Sequence, residues 1–179
     1  RYTGELPRAG VVVNEPIRRG RETGTDLLPR FAQASPVDVF GMVTEWLPDW
    51  LGLSHERMGT WNSPQDQMHT ELARRRVYVH PFRWTSLGLS LLEAMHLGMP
   101  VVALATTEVI HAVPPEAGVI STDVDVLVDA VRRFVADPDE ARHVGKQARA
   151  VALARYSLPR FLGQWDELLR SVVASVITR

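Results

Sequence analysis

Residues 77–105, VYVHPFRWTSLGLSLLEAMHLGMPVVALA, decide the fold. VYVH is β-branched and aromatic without apolar–polar alternation, which suits a strand buried on both faces. From Ser86 the run SLGLSLLEAMHLG carries apolar residues at helical spacing. Gly98 reads as the stop of that helix, and Pro100 opens the second apolar run, PVVALA. Strand, helix and strand in this order form a βαβ unit, which predicts parallel pairing through a right-handed crossover.

The alternation extends in both directions. AGVVVN from Ala9, VDVFGM from Val37, the weaker RMGTW from Arg57 and GVIS from Gly118 read as further strands. TDLLPRFAQ from Thr25 reads as a helix that Pro29 makes short or late. SPQDQMHTELARRR reads as another, with Ser63 expected as its N-cap and Pro64 at its first position. DVDVLVDAVRRFVAD, DEARHVGKQARAVALARY and LPRFLGQWDELLRSVVASV follow as helices. The aromatic stretch from Thr44 to Arg57 reads as a long loop with a helical turn, or as a surface that meets another domain. The expected class is α/β: a Rossmann-like parallel sheet of about six strands with helices on both faces. Residues 1–179 are expected to form one domain.

Composition removes several functions. Twenty basic against twenty-one acidic residues leave a net charge of −1. No basic stripe points to nucleic acid, and no strong field favours an anionic membrane. Without cysteine there is no disulfide, thiolate nucleophile or Cys-based zinc site, and a cytoplasmic location fits. The six histidines show no ligand spacing, so no metal is expected. The chain opens at Arg1 rather than Met, which suggests a fragment or a processed chain.

Ligands of open α/β sheets bind outside the carboxyl ends of the strands. Two loops there carry chemistry. The first, NEPIRRGRETGTD, places Arg18, Arg19 and Arg21 around Gly20. Guanidinium groups give bidentate hydrogen bonds to phosphate oxygens. By composition alone the same loop reads somewhat more readily as a solvated basic turn. In the second, HPFRWTSLG, Thr85 or Ser86 is expected to cap the following helix and Gly88 to keep its first turn open. Free N–H groups and the helix dipole make such an end an anion site. His80 in this region reads as a structural histidine more readily than as a catalytic one. Glu93 lies seven residues beyond Ser86, on the same helical face if one helix spans both, with its side chain leaning back toward the loop. A carboxylate there suits a ribose diol; an ordinary exposed glutamate is the alternative. The opposite face (Leu89, Leu92, His96, or Leu91 and Met95) is expected to serve the core.

SLGLSLLEAMHLGMPVVA resembles the donor-site signature of bacterial retaining glycosyltransferases of the GT-B fold, the family numbered four, in what looks like an actinobacterial variant. The arginine loop with Gly24-Thr25-Asp26-Leu27-Leu28 looks like that family's phosphate turn, and RYSLPRFLGQWDELL like its closing helix. The resemblance implies that Glu93 holds the donor ribose and that Ser86, Leu87 and Gly88 present backbone amides to the diphosphate. It makes Arg18 the phosphate arginine and places Trp61 or Asn62 at the nucleobase. Three positions depart from the pattern. Thr85 stands where the family's first glutamate meets the sugar, Thr23 where its phosphate lysine stands, and Thr107-Glu108 where it has paired glycines. Lys146 is the sole lysine, so Arg21 or Arg19 is the candidate substitute.

The function implied is that of the donor domain of a glycosyltransferase, metal-independent and retaining, using a UDP- or GDP-sugar. An N-terminal acceptor domain, absent from this chain, would complete it and would carry any peripheral membrane association. The isolated chain is then expected to bind nucleotide without turnover. The departures motivate an alternative, a non-catalytic donor-binding or assembly module. A UDP-sugar epimerase of the same fold would need acid and base carboxylates that the sequence does not offer. A phosphoacceptor receiver would need clustered acids after the first strand, where only Glu15 stands.

Overall fold

Six short apolar runs become six strands: β1 (Leu6–Val12), β2 (Val37–Phe40), β3 (Met58–Trp61), β4 (Arg75–His80), β5 (Val101–Leu104) and β6 (Gly118–Ser121). The computed structural model of the chain describes residues 1–177, with side chains through residue 173. The strands lie in the order β3-β2-β1-β4-β5-β6, every neighbouring pair parallel. The chain runs outward from β1 to one edge, returns, and runs outward from β4 to the other. The carboxyl ends of β1 and β4 therefore flank the crevice where strand order reverses.

The strands are apolar on both faces because both are covered. Val77 and Val79 of β4 pack with Val102 and Leu104 of β5 on one side. There they meet Phe31 of α2 (Leu28–Ala34) and Leu127, Val131 and Phe134 of α7 (Val124–Ala136). Tyr78, Val101 and Ala103 point to the other side, against Leu91, Ala94 and Met95 of α5 (Leu89–Leu97) and Ala148 and Ala152 of α8 (Pro138–Tyr156). Each fully buried Leu or Phe side chain stabilises this arrangement by about 1.5–3 kcal/mol. The fold is thus the Rossmann-like α/β class.

Local expectations need three corrections. The arginine turn winds into a short helix, α1 (Gly20–Thr23), followed by a 3-10 turn over Thr25–Leu27. The stretch from Thr44 to Arg57 agrees with its reading as a loop with a helical turn, α3 (Leu47–Leu51). Ser63 does not cap α4 (Gln65–Leu72); extended Pro64 stands at the N-cap, with no side-chain bond. Nor does Thr85 or Ser86 cap α5. Gly88 is extended there (φ −67°, ψ 122°), and α5 begins only at Leu89, with no side-chain cap. Glu93 accordingly lies about one turn into the helix, rather than two turns from a capping Ser86. Leu91, Ala94 and Met95 face the core, whereas Leu89 is 76% exposed. The remaining elements are α6 (Val109–Ala112) and α9 (Leu158–Ile177).

One ionic group sits inside the fold. Arg75, 2% exposed at its side chain, donates from Nε to Asp38 Oδ2 at 2.7 Å and from Nη1 to Glu71 Oε2 at 2.8 Å. Its guanidinium lies 4.9 Å from the ring centroids of both Phe40 and Trp61. Arg8 reaches the other oxygen of Asp38, Nη2 to Oδ1 at 2.7 Å.

Candidate functional site

A cleft of about 600 Å³ opens at the strand-order reversal. Each wall is a segment that leaves a strand at its carboxyl end. Val13 and Asn14 follow β1, Gly41 and Met42 follow β2, Asn62 and Ser63 follow β3, and Phe82, Thr85, Leu87 and Gly88 follow β4. Arg19, Gln65 and Met68 of α4, and Leu89, Ser90 and Glu93 of α5 complete the lining. Arg19 is the one cation among the lining residues and Glu93 the one anion.

The loop between β4 and α5 is tied down on both sides. The carbonyl of Glu22, in α1, accepts the N–H groups of Arg83 (2.8 Å) and Trp84 (3.1 Å). The Arg83 guanidinium donates to both carboxylate oxygens of Asp26, at 2.6 and 2.8 Å. Asp26 is held below the usual carboxylate range, chiefly by that hydrogen bond. Thr106 Oγ1 donates to the carbonyl of Phe82 at 2.8 Å, and the N–H of Glu108 to that of Ser86 at 3.3 Å. Gly24 lets α1 come this close. It adopts φ 68°, and a Cβ there would lie 2.0 Å from the carbonyl oxygen of Pro81.

Under the loop lies His80, fully buried. Its ring stacks on Phe82 with centroids 4.4 Å apart. Tyr78 Oη donates to Ser90 Oγ at 3.0 Å and lies 3.2 Å from His80 Nδ1. Since the tyrosine proton goes to Ser90, Nδ1 is the donor to Tyr78 and Nε2 carries a lone pair. Nε2 is buried and has no hydrogen-bond partner. Burial pushes the His80 pKa down to about 4, which keeps the ring neutral at ordinary pH.

The rim carries backbone strain. Glu15 (φ 53°) and Val43 (φ 59°) occupy the left-handed region. For a β-branched residue such as Val43 this costs about 1–3 kcal/mol. The pair is held by reciprocal loop bonds: the N–H of Glu15 donates to the carbonyl of Met42, and the N–H of Met42 to Asn14 Oδ1, both at 2.9 Å.

Not all residues singled out in the sequence converge. Arg19, Thr85, Leu87, Gly88 and Glu93 line the cleft together. Arg19 is partnered only locally, its Nε donating to Glu22 Oε2 at 3.2 Å. Arg18 and Arg21 line an adjoining hollow with Trp50, Asp26 and Arg83, and Arg18 is paired with Glu15. Trp61 stacks on Phe40, centroids 6.0 Å apart, outside the cleft lining, whereas Asn62 is within it. Ser86 does not line the cleft; its carbonyl anchors the loop to Glu108. Glu93 faces the cleft with both oxygens near α4. Oε1 accepts from Gln65 Nε2 at 2.8 Å, and Oε2 lies 3.4 Å from His69 Nε2.

Asn14, Met42, Ser63 and Gln65 were not foreseen as lining residues. Their common signal is position: each follows the carboxyl end of one of the first three strands. Among the described residues no three His, Asp or Glu side chains gather as a metal site would require. Nor is any described helix long and apolar enough to cross a membrane.

Solved structures share this architecture. Sucrose-phosphate synthase from Thermosynechococcus elongatus superposes with a TM-score of 0.79 at 24% identity, over 94% of this chain and 46% of the other. HepE from Anabaena, in a structure with UDP-glucose, gives 0.73 at 18% identity over 92% and 48%. A TarM variant of S. aureus, in a structure that includes UDP, gives 0.72 at 17% identity over 94% and 36%. The chain therefore spans about half, or less, of the length of these proteins. Comparison with curated proteins finds no match. The family model for glycosyl transferases group 1 matches residues 49–151, from within α3 into α8, and on that match over more than half of its length the chain belongs to the glycosyl transferases group 1 family.

Proposed function

We propose that the cleft holds the nucleoside diphosphate of an activated sugar, UDP- or GDP-linked, and that this chain is the donor domain of a two-domain GT-B glycosyltransferase. The observation that carries the reading is that one cation, Arg19, one anion, Glu93, and the uncapped start of α5 line the same cleft. First-turn amides of an uncapped helix attract a phosphate, and the helix dipole adds to the attraction. Glu93 supplies acceptors for the two hydroxyls of a ribose, and Asn62 and Ser63 stand where a base would follow. The solved neighbour HepE is in complex with UDP-glucose, which agrees in kind.

Transfer breaks the bond between the anomeric carbon and the diphosphate as the acceptor hydroxyl attacks. Negative charge grows on the departing diphosphate. Preorganised N–H groups and a guanidinium stabilise that charge without reorganising. No metal ion enters this scheme, and retention of anomeric configuration follows the family-four resemblance. In a two-domain enzyme of this kind the acceptor site belongs to the other domain, so residues 1–179 by themselves should bind donor without turnover. Thr85 faces the cleft where the family pattern has a glutamate beside the sugar, which points to an altered sugar preference.

Isothermal titration of the chain with UDP, GDP and their glucose conjugates tests the reading. One nucleoside diphosphate should bind, and Glu93→Ala should weaken it about tenfold while leaving the circular dichroism unchanged. A folded chain that binds none of them would be a non-catalytic module instead.

A further inference from the structure

We infer that Gln65 and His69 of α4 are positioning residues for Glu93, holding its carboxylate in the orientation that receives the ribose diol; this deepens the donor-site reading and rests on it. Gln65 and His69 are four residues apart, so they lie on one face of α4, and that face meets α5 at Glu93. Gln65 Nε2 donates to Oε1 at 2.8 Å. His69 Nε2 is buried and makes no hydrogen bond of good geometry; Glu93 Oε2 is 3.4 Å away. Glu93 Oε2 is thus within reach of that nitrogen, and a small reorientation of the His69 ring would bring an N–H onto the carboxylate and complete the bond.

An ionised carboxylate offers about four lone-pair sites. Gln65 takes one site on Oε1, and His69, once its bond is completed, takes one on Oε2; one site on each oxygen is then left for the two ribose hydroxyls. The side chain of Glu93 is 28% exposed. Its free rotamers would otherwise have to be given up when ligand binds. A carboxylate already gripped from behind meets the diol in a fixed plane. The pair thus bears on the ribose and not on the phosphates.

The test compares UDP with its dideoxyribose analogue, which lacks the diol, by calorimetric titration of the whole chain and its variants; GDP and its analogue replace them if GDP binds more tightly. The wild-type chain should prefer the ribose form about tenfold. Glu93→Ala should remove the preference. His69→Ala and Gln65→Ala should each lower it at least threefold while affinity for the dideoxy analogue holds, and His69→Gln, which restores a donor, should recover part of it. A general structural defect would instead lower both affinities together. Gln65 is exposed, so Gln65→Ala keeps the test open if His69→Ala does not fold. If Glu93→Ala removes the preference but the two α4 variants leave it intact, the positioning role is wrong and the ribose reading stands. If Glu93→Ala itself leaves the preference unchanged, or neither nucleotide binds, both readings fall.

Discussion

The imidazole of His80 lies directly beneath Gly88, so near that a Cβ on the glycine would come within 2.5 Å of His80 Cε1. The amide loop at the start of α5 thus rests on a buried aromatic floor. Gly88→Ala cannot be accommodated without lifting the loop or displacing the ring, which itself stacks on Phe82. The variant should fold, with affinity for the bound nucleoside diphosphate reduced at least about tenfold. Titration beside a circular dichroism spectrum checks this; an unchanged affinity would show that the loop is not part of the site.

His80 also makes stability depend on pH. Its pKa falls from 6.5 in a free chain to about 4 in the fold. Between those values the unfolded chain binds the proton and the folded chain does not. Stability is therefore fully present above pH 6.5 and is lost as pH falls from there toward 4. The loss from this group is roughly 3 kcal/mol. Urea denaturation across that range should show a shallower pH slope for His80→Gln than for the wild type. Equal slopes would mean that the ring already titrates freely.

The arginines should separate by position. Arg19→Ala should weaken binding of UDP or GDP more than that of the bare nucleoside, since Arg19 alone of the three lines the cleft. Arg18→Ala should have a smaller effect, because its guanidinium is paired with Glu15 and faces the adjoining hollow. The same titrations rank the two variants, and a larger loss for Arg18 would reverse the assignment.

Asp38→Ala should destabilise the chain by about 3 kcal/mol, because it leaves Arg75 buried with Glu71 as its remaining carboxylate partner. Thermal or chemical denaturation measures it. A loss under about 1 kcal/mol, the usual worth of a surface pair, would show that water reaches the guanidinium.

The strands were readable because the sheet is covered on both faces. Runs such as VYVH and VVAL then carry no polar residues except those with a partner, as Tyr78 and His80 have in each other. The strand order was not readable, since it depends on which edge each crossover returns to. Capping failed at Ser63 and at Thr85–Ser86 because tertiary hydrogen bonds and an extended Pro64 and Gly88 overrode local preference. Glu93 was singled out through its spacing from Ser86 and the family pattern; it lines the cleft, but no helix spans Ser86 and Glu93, so the spacing argument itself fails. The clustering of Arg18, Arg19 and Arg21 in sequence survived folding only in part: Arg19, at the N-cap of α1, lines the cleft, whereas Arg18 before it and Arg21 within α1 line the adjoining hollow. The role of α4 behind Glu93 had one visible trace, two hydrogen-bonding side chains four residues apart, and nothing in the sequence said which helix they would face.

Glu22 joins the arginine turn to the loop after β4 through two amides, and the Arg83–Asp26 fork doubles the join. Two walls of the cleft are consequently one mechanical piece before any ligand arrives. Capture should then freeze few backbone torsions, and the entropic penalty that mobile phosphate loops bring to binding is largely met when the chain folds. Cutting the fork with Asp26→Ala would return that penalty to the binding step, where it would be read as a less favourable entropy with the same set of phosphate contacts.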